Sequence, residues 1–238
     1  MDFKAISNIL LEIFYIIIGI MMLNTALLTL KDKNNYINLR KKIGVVFQNP
    51  ENQILFNNLE DELTFALKNL GLEDRDIRIN QALEKVKIEK EKIGDIDELS
   101  LGQKQRIAIA GVLAVNPKYI VLDEPTTMID SEGKEAVYSI IKTLRNSGYT
   151  IIYITNNTEE IFLADRIIIL DEGKIAETIL KEDLVRKTEI LSNYNLKIPT
   201  ETLILKMLNE NNIEINPAEP GVCGIIKELI GKVKVWKM

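Results

Sequence analysis

The 238-residue chain carries 30 basic and 35 acidic side chains, and its formal charge of −5 argues against nucleic acid as the main partner. Its 46% hydrophobic and 27% charged content is that of an ordinary globular protein of one large or two small domains. A single cysteine, Cys223, excludes a disulfide framework, and the lack of histidine removes the commonest general base and metal ligand.

The first elements are apolar. Ile13 to Leu30 carries no charge and includes IFYIIIGIMML, nearly long enough for a tilted membrane span. Lys31, Lys33, Arg40, Lys41 and Lys42 follow, so a span would leave the rest of the chain on the cytoplasmic side. A signal-peptide core is a second reading, although no small-residue cleavage site follows. A third is sequence foreign to the remainder, produced by truncation or a shifted reading frame.

Ile43 to Phe47 reads as a strand ending at Gln48. Asn58 to Leu70 places Leu59, Leu63, Ala66, Leu67 and Leu70 on one helical face, and Gly71 stops that helix. Asp76 to Val86 predicts a second helix, with Ile77, Ile79, Ala82, Leu83 and Val86 inward. The third carries Ile107, Ala110, Gly111 and Leu113 and is stopped by Asn116-Pro117. Tyr119 to Leu122 is a short apolar run of the buried-strand kind, and the adjacent carboxylates Asp123 and Glu124 sit at its C-terminal end. Open α/β sheets place ligands there.

Glu132 to Arg145 predicts a helix with Ala136, Val137, Ile140, Ile141 and Leu144 inward. Thr150 to Ile154 and Arg166 to Leu170 follow as strands, and Asp171 to Lys174 as a hairpin turn into Ile175 to Glu177. Helices alternating with hydrophobic strands indicate an α/β fold whose largely parallel sheet is covered on both faces. Leu203, Ile204, Met207 and Leu208, then Ile225, Ile226, Leu229 and Ile230, mark two C-terminal helices separated by Pro217 and Pro220.

LSLGQKQR, one helix ahead of IVLDEPTTMID, resembles the signature motif and Walker B segment of ATP-binding-cassette (ABC) ATPases. LRKKIGVVFQNPENQI, continuous from Leu39, resembles the strand and Q-loop of the energy-coupling-factor group of ABC importers. The resemblance implies the RecA-like P-loop NTPase core of an ABC ATPase, amino-terminally truncated, with an α-helical subdomain and a small C-terminal helical extension. It divides the chain at residues 1–36, 37–178 and 179–238, with the helical subdomain at about 49–98. Because the likeness begins abruptly after the apolar run, foreign sequence is the favoured reading of residues 1–36 and a membrane span the runner-up.

In that family two subunits face head to tail and hydrolyse ATP between them, largely by positioning water, Mg²⁺ and charge. Carried over by motif, Asp123 would orient the Mg²⁺ shell, Glu124 would polarise the attacking water, and Gln48 would sense both. Asp130 would bridge to the partner. Ser100, Gly102 and Gln103 would close on the phosphates of the partner's site, aided by the helix they open.

Three departures stand against this. A phosphate loop needs GxxxxGK[ST], yet the only glycines ahead of Gln48 are Gly19 and Gly44, and neither opens that pattern. Asn156 occupies the switch-histidine position and supplies only a neutral hydrogen bond. Leu101 replaces the first signature glycine, and either obstructs the partner's site or points away.

The expectation is therefore an importer subunit that hydrolyses little ATP alone, its ATP and Mg²⁺ weakly held or supplied by the partner's site. It would lend its signature to a second ABC ATPase in a heterodimer. A transmembrane coupling protein and a substrate-capture membrane protein would complete the complex at the cytoplasmic membrane face. A non-functional remnant or a non-enzymatic scaffold subunit is the alternative.

Overall fold

The computed structural model describes residues 33–213, 215 and 222–235. The apolar run Ile13 to Leu30 and the two prolines Pro217 and Pro220 lie outside the described residues. No helix among the described residues is long and apolar enough to cross a membrane.

Helix α1 (Lys33–Lys42) leads directly into strand β1 (Ile43–Val46). Helices α2 (Leu59–Asn69) and α3 (Arg75–Lys85) follow, and then the central helix α4 (Leu101–Val115). Strand β2 (Tyr119–Asp123), helix α5 (Ser131–Asn146) and strand β3 (Thr150–Ile154) complete the first layer set. Strands β4 (Arg166–Asp171) and β5 (Lys174–Leu180) precede the short helix α6 (Glu189–Asn193) and helices α7 (Thr200–Glu210) and α8 (Val222–Val235).

β1, β2 and β3 form a parallel sheet in that order, with Val46 opposite Leu122 and Asp123 opposite Ile154. The ends of all three strands therefore meet at one level, and the loops leaving them share one edge. Only β2 is deeply buried; β1 and β3 are largely half-buried, so the expected covering on both faces holds for the central strand alone. β4 and β5 pair as a separate antiparallel hairpin rather than extending the parallel sheet. Its turn carries Glu172 and Gly173 at φ 48° and 75°, the successive left-handed pair that suits the twist of a hairpin.

The hydrophobic periodicities locate the main core. Leu59, Leu63 and Leu67 of α2, Ile79 and Leu83 of α3, Ile107 and Leu113 of α4, and Val137 and Ile140 of α5 pack with β2. Fully burying each such aliphatic contributes roughly 1.5–3 kcal/mol. One assignment fails: Ile77, on the first turn of α3, is 58% exposed, while Ile79, Ala82 and Leu83 form the buried face of that helix. The strand from Ile43 also ends one residue early, at Val46, leaving Phe47 exposed.

A second cluster joins Phe162, Ile167, Ile169, Ile179, Leu184, Leu191, Leu205 and Ile225, which seats the C-terminal helices on the hairpin. The outward side of those helices is apolar as well: Leu203 and Met207 on α7, and Ile226 and Ile230 on α8, are exposed.

Gly44 explains how closely β1 approaches α4. A Cβ there would lie 2.2 Å from Cγ1 of Val112 and 3.1 Å from Cγ of Pro117. Only glycine lets the strand sit against that helix end.

Candidate functional site

The two carboxylates at the end of β2 adopt different roles within the backbone. Asp123 is the last strand residue, and its carboxyl is held above the usual carboxylate range by burial first and by the neighbouring Glu124 second. Glu124 leaves the strand at φ 44°, a left-handed conformation that is costly for a residue with a Cβ. Its N–H still donates to the carbonyl of Ile154 at 2.9 Å, extending the ladder by one bond. That bond pins the strained residue beside β3.

Gln48 follows β1 onto the same edge. Its Nε2 donates to Oε2 of Glu124 at 3.3 Å, and Oγ1 of Thr127 donates to that same oxygen at 3.0 Å. The sequence-predicted trio of Gln48, Asp123 and Glu124 is thus brought together. Two glutamines hold the backbone beneath it. Gln53 accepts from the N–H of Phe47 at 3.0 Å and donates to the carbonyl of Val45 at 3.2 Å, while the buried Gln105 donates to the carbonyl of Phe47 at 3.3 Å. The buried Lys104 pairs with Glu51 of the same loop at 2.9 Å. Asn156 lies on the neighbouring loop after β3, with its side chain exposed.

The signature segment folds as a capped helix start. Ser100 is the N-cap of α4: its Oγ accepts from the N–H of Gln103 at 3.3 Å, and Oε1 of Gln103 accepts from the N–H of Ser100 at 2.9 Å. Asp130 caps α5 through a single bond, its Oδ1 accepting from the N–H of Gly133 at 2.8 Å. The two helix starts touch through glycines, since a Cβ on Gly102 would stand 3.2 Å from Cα of Gly133. On the surface at this junction Ser100 and Asp130 are exposed and Gln103 is half-buried, whereas Gly102 is buried in the contact itself. Leu101 is half-buried and packs against the main core, so its side chain turns inward from that surface.

The sequence profile of the ABC transporter family matches residues 12–127. An energy-coupling factor transporter ATP-binding protein of Ligilactobacillus salivarius is 42% identical over 187 residues, 77% of this chain and 66% of that protein. A counterpart from Streptococcus pyogenes serotype M5 is 38% identical over 201 residues, 83% of this chain and 71% of its own length. The chain belongs to the ABC transporter family, among the energy-coupling factor ATP-binding proteins. It spans about two thirds of the length of the relatives it matches.

The structural likenesses agree with that placement. cbiO1 from Clostridium perfringens, part of the ABC transporter complex cbiONQ, aligns with a TM-score of 0.58 and 29% identity, over 74% of this chain and 71% of that one. A dimeric ATP-binding cassette bound to ADP and Pi aligns with a TM-score of 0.52 and 32% identity, over 63% of this chain and 68% of that one. The α/β architecture is that of the ABC ATPase core.

Several residues that shape the site have no role that motif spacing alone assigns. Thr127 was visible only as the second threonine of DEPTT, and Gln105 only as part of the QR that closes the signature. Gln53 sits at the end of the NPENQ run. Their motif membership was the available signal; their backbone partners emerge only once β1 and α4 are packed together.

Proposed function

We propose that this chain is an ATP-binding subunit of an energy-coupling factor-type importer. It serves mainly by presenting its signature surface to the nucleotide of a second, phosphate-loop-bearing ABC subunit. The observation that carries this reading is the surface that exposed Ser100, half-buried Gln103 and exposed Asp130 share at the adjoining starts of α4 and α5, with Leu101 packed against the core. Ser100 spends an oxygen lone pair on its cap, which leaves its O–H hydrogen to donate to a phosphate oxygen. The N-terminal end of the α4 dipole adds favourable electrostatics for an anion.

The chain's own carboxylate site fits a hard cation. Asp123 and Glu124 offer carboxylate oxygens and Gln48 an amide oxygen, the donor chemistry Mg²⁺ takes; bound there, the ion would neutralise charge on a transferring phosphoryl group. Glu124 would orient the attacking water, and Gln48, which bonds it, would set its direction. What the sequence does not supply is GxxxxGK[ST] to cradle the phosphates, or a histidine at Asn156. These residues alone therefore fit the metal better than the nucleotide's triphosphate.

Two exposed apolar surfaces support the assembly part of the proposal. Leu55, Phe56 and Phe65 are exposed beside the Q-loop, with the two rings 5.3 Å apart, and would receive a helix of a membrane coupling protein. The outward face of α7 and α8 would meet the second ATPase subunit. Placement at the cytoplasmic face of a membrane follows from such partners. The test is equilibrium binding of a fluorescent ATP analogue. Weak binding to the chain alone, and tighter binding to its mixture with the second subunit than to that subunit alone, is expected; equal binding to mixture and second subunit would refute the proposal.

A further inference from the structure

Glu160 is a carboxylate only 4% exposed, in the 3-10 segment Thr158–Leu163 that follows the Asn156 loop. It is met by hydroxyl groups from three different elements. Its Oε1 accepts from Oγ1 of Thr126 and, at 2.9 Å, from Oη of Tyr138 on α5. Its Oε2 accepts from Oγ1 of Thr155 at 2.5 Å. Thr126 has one hydroxyl hydrogen and gives it to Glu160, so Tyr153 on β3, 3.3 Å away, must be the donor in its own contact with Thr126. Burial is the leading reason that both tyrosine hydroxyls hold their protons well above the ordinary tyrosine range.

The two oxygens of this carboxylate reach two different loops. Thr126 belongs to the turn after Glu124, and the next residue, Thr127, is the one that grips the Glu124 carboxylate. Thr155 opens the turn that carries Asn156, and its Oγ1 also accepts from the N–H of Asn157 at 3.0 Å, closing that turn. A buried acid needs its lone pairs filled, and here each side of the filling comes from a separate loop.

We propose that Glu160 is a positioning residue that fastens the Asp123–Thr127 turn and the Thr155–Asn157 turn into one unit. The orientation of Glu124 and the placement of Asn156 are then set together. Its importance for ATP chemistry rests on the reading given above, but the coupling itself does not.

The experiment is amide hydrogen exchange on the full chain, without nucleotide, for Thr126→Val, Thr155→Val and Glu160→Gln. Each threonine change is near-isosteric and removes one donor to the carboxylate. Thr126→Val is expected to speed exchange in Thr155–Thr158, across the carboxylate, and Thr155→Val in Glu124–Met128, each about tenfold or more, the loss expected when a hydrogen bond to a charged group goes. Glu160→Gln is expected to loosen both turns, because its amide nitrogen cannot accept on one side. Amides of α4 are expected to keep their wild-type rates. If each threonine change disturbs only its own turn, or if all core amides speed up together, the coupling is refuted. Since no nucleotide takes part, that outcome would leave the importer reading standing, and failure of the nucleotide-binding test would leave the coupling standing.

Discussion

Gly44→Ala tests how β1, which delivers Gln48, is seated against α4. The added Cβ would stand 2.2 Å from Cγ1 of Val112, so regaining an ordinary carbon contact needs a move of roughly 1.5 Å. Cγ of Pro117 crowds the same Cβ at 3.1 Å, and the β-branched Val112 has few rotamers with which to yield. Overpacking of this kind costs about 1–3 kcal/mol, and the upper half of that range is expected here. Val112→Ala removes the clashing methyl and leaves only its Cβ at 3.5 Å, an ordinary contact. In that background Gly44→Ala should cost about 1–2 kcal/mol less than in the wild type, a coupling measurable from urea midpoints of the four proteins. An equal cost in both backgrounds would refute the packing argument.

Further outcomes follow from the same geometry. Asp123→Asn should raise the thermal midpoint at neutral pH, because burial makes the ionised form the costly one in the folded state. The folded carboxyl titrates above its unfolded value of 3.8, so its stabilising protonated form is complete below that pH and lost as pH rises through the folded value. The advantage of asparagine should therefore vanish below pH 3.8 in a pH series of melts. Glu51→Gln should destabilise by about 1 kcal/mol, since it strips the counter-ion from the buried Lys104 while Glu51 itself is more than half exposed. Lys104→Met should cost less than that in the same denaturation assay, because it leaves only a hydrated carboxylate behind. Ile77→Lys should stay within about 0.5 kcal/mol of wild type, as expected of an exposed side chain.

The parts that were legible in the sequence are those written in local chemistry. Asn116-Pro117 stops α4 through a left-handed cap at φ 58°, and the leucines of α2 repeat at helical spacing and are buried as that spacing implies. The carboxylates after β2 and the glutamine after β1 meet because register in a parallel sheet aligns strand ends. What stayed hidden depends on packing between distant segments. Ile77 satisfies a helical apolar pattern but lies exposed on the first turn of α3. Leu101 could point either way until α4 was set against the core. The Glu160 cluster draws Thr126, Tyr138 and Thr155 from three elements, and no spacing rule joins residues 34, 22 and 5 positions away.

In the paired enzyme the signature surface is expected to matter more than the local carboxylate site. The most direct test is the ATPase rate of the chain mixed with the second, phosphate-loop-bearing subunit, comparing Ser100→Arg with Glu124→Gln. Ser100→Arg sacrifices a helix cap, about 1 kcal/mol, which a thermal melt will register separately. Ser100→Arg is expected to remove most of the paired activity while Glu124→Gln leaves most of it. A rate untouched by Ser100→Arg, or abolished by Glu124→Gln alone, would contradict this expectation.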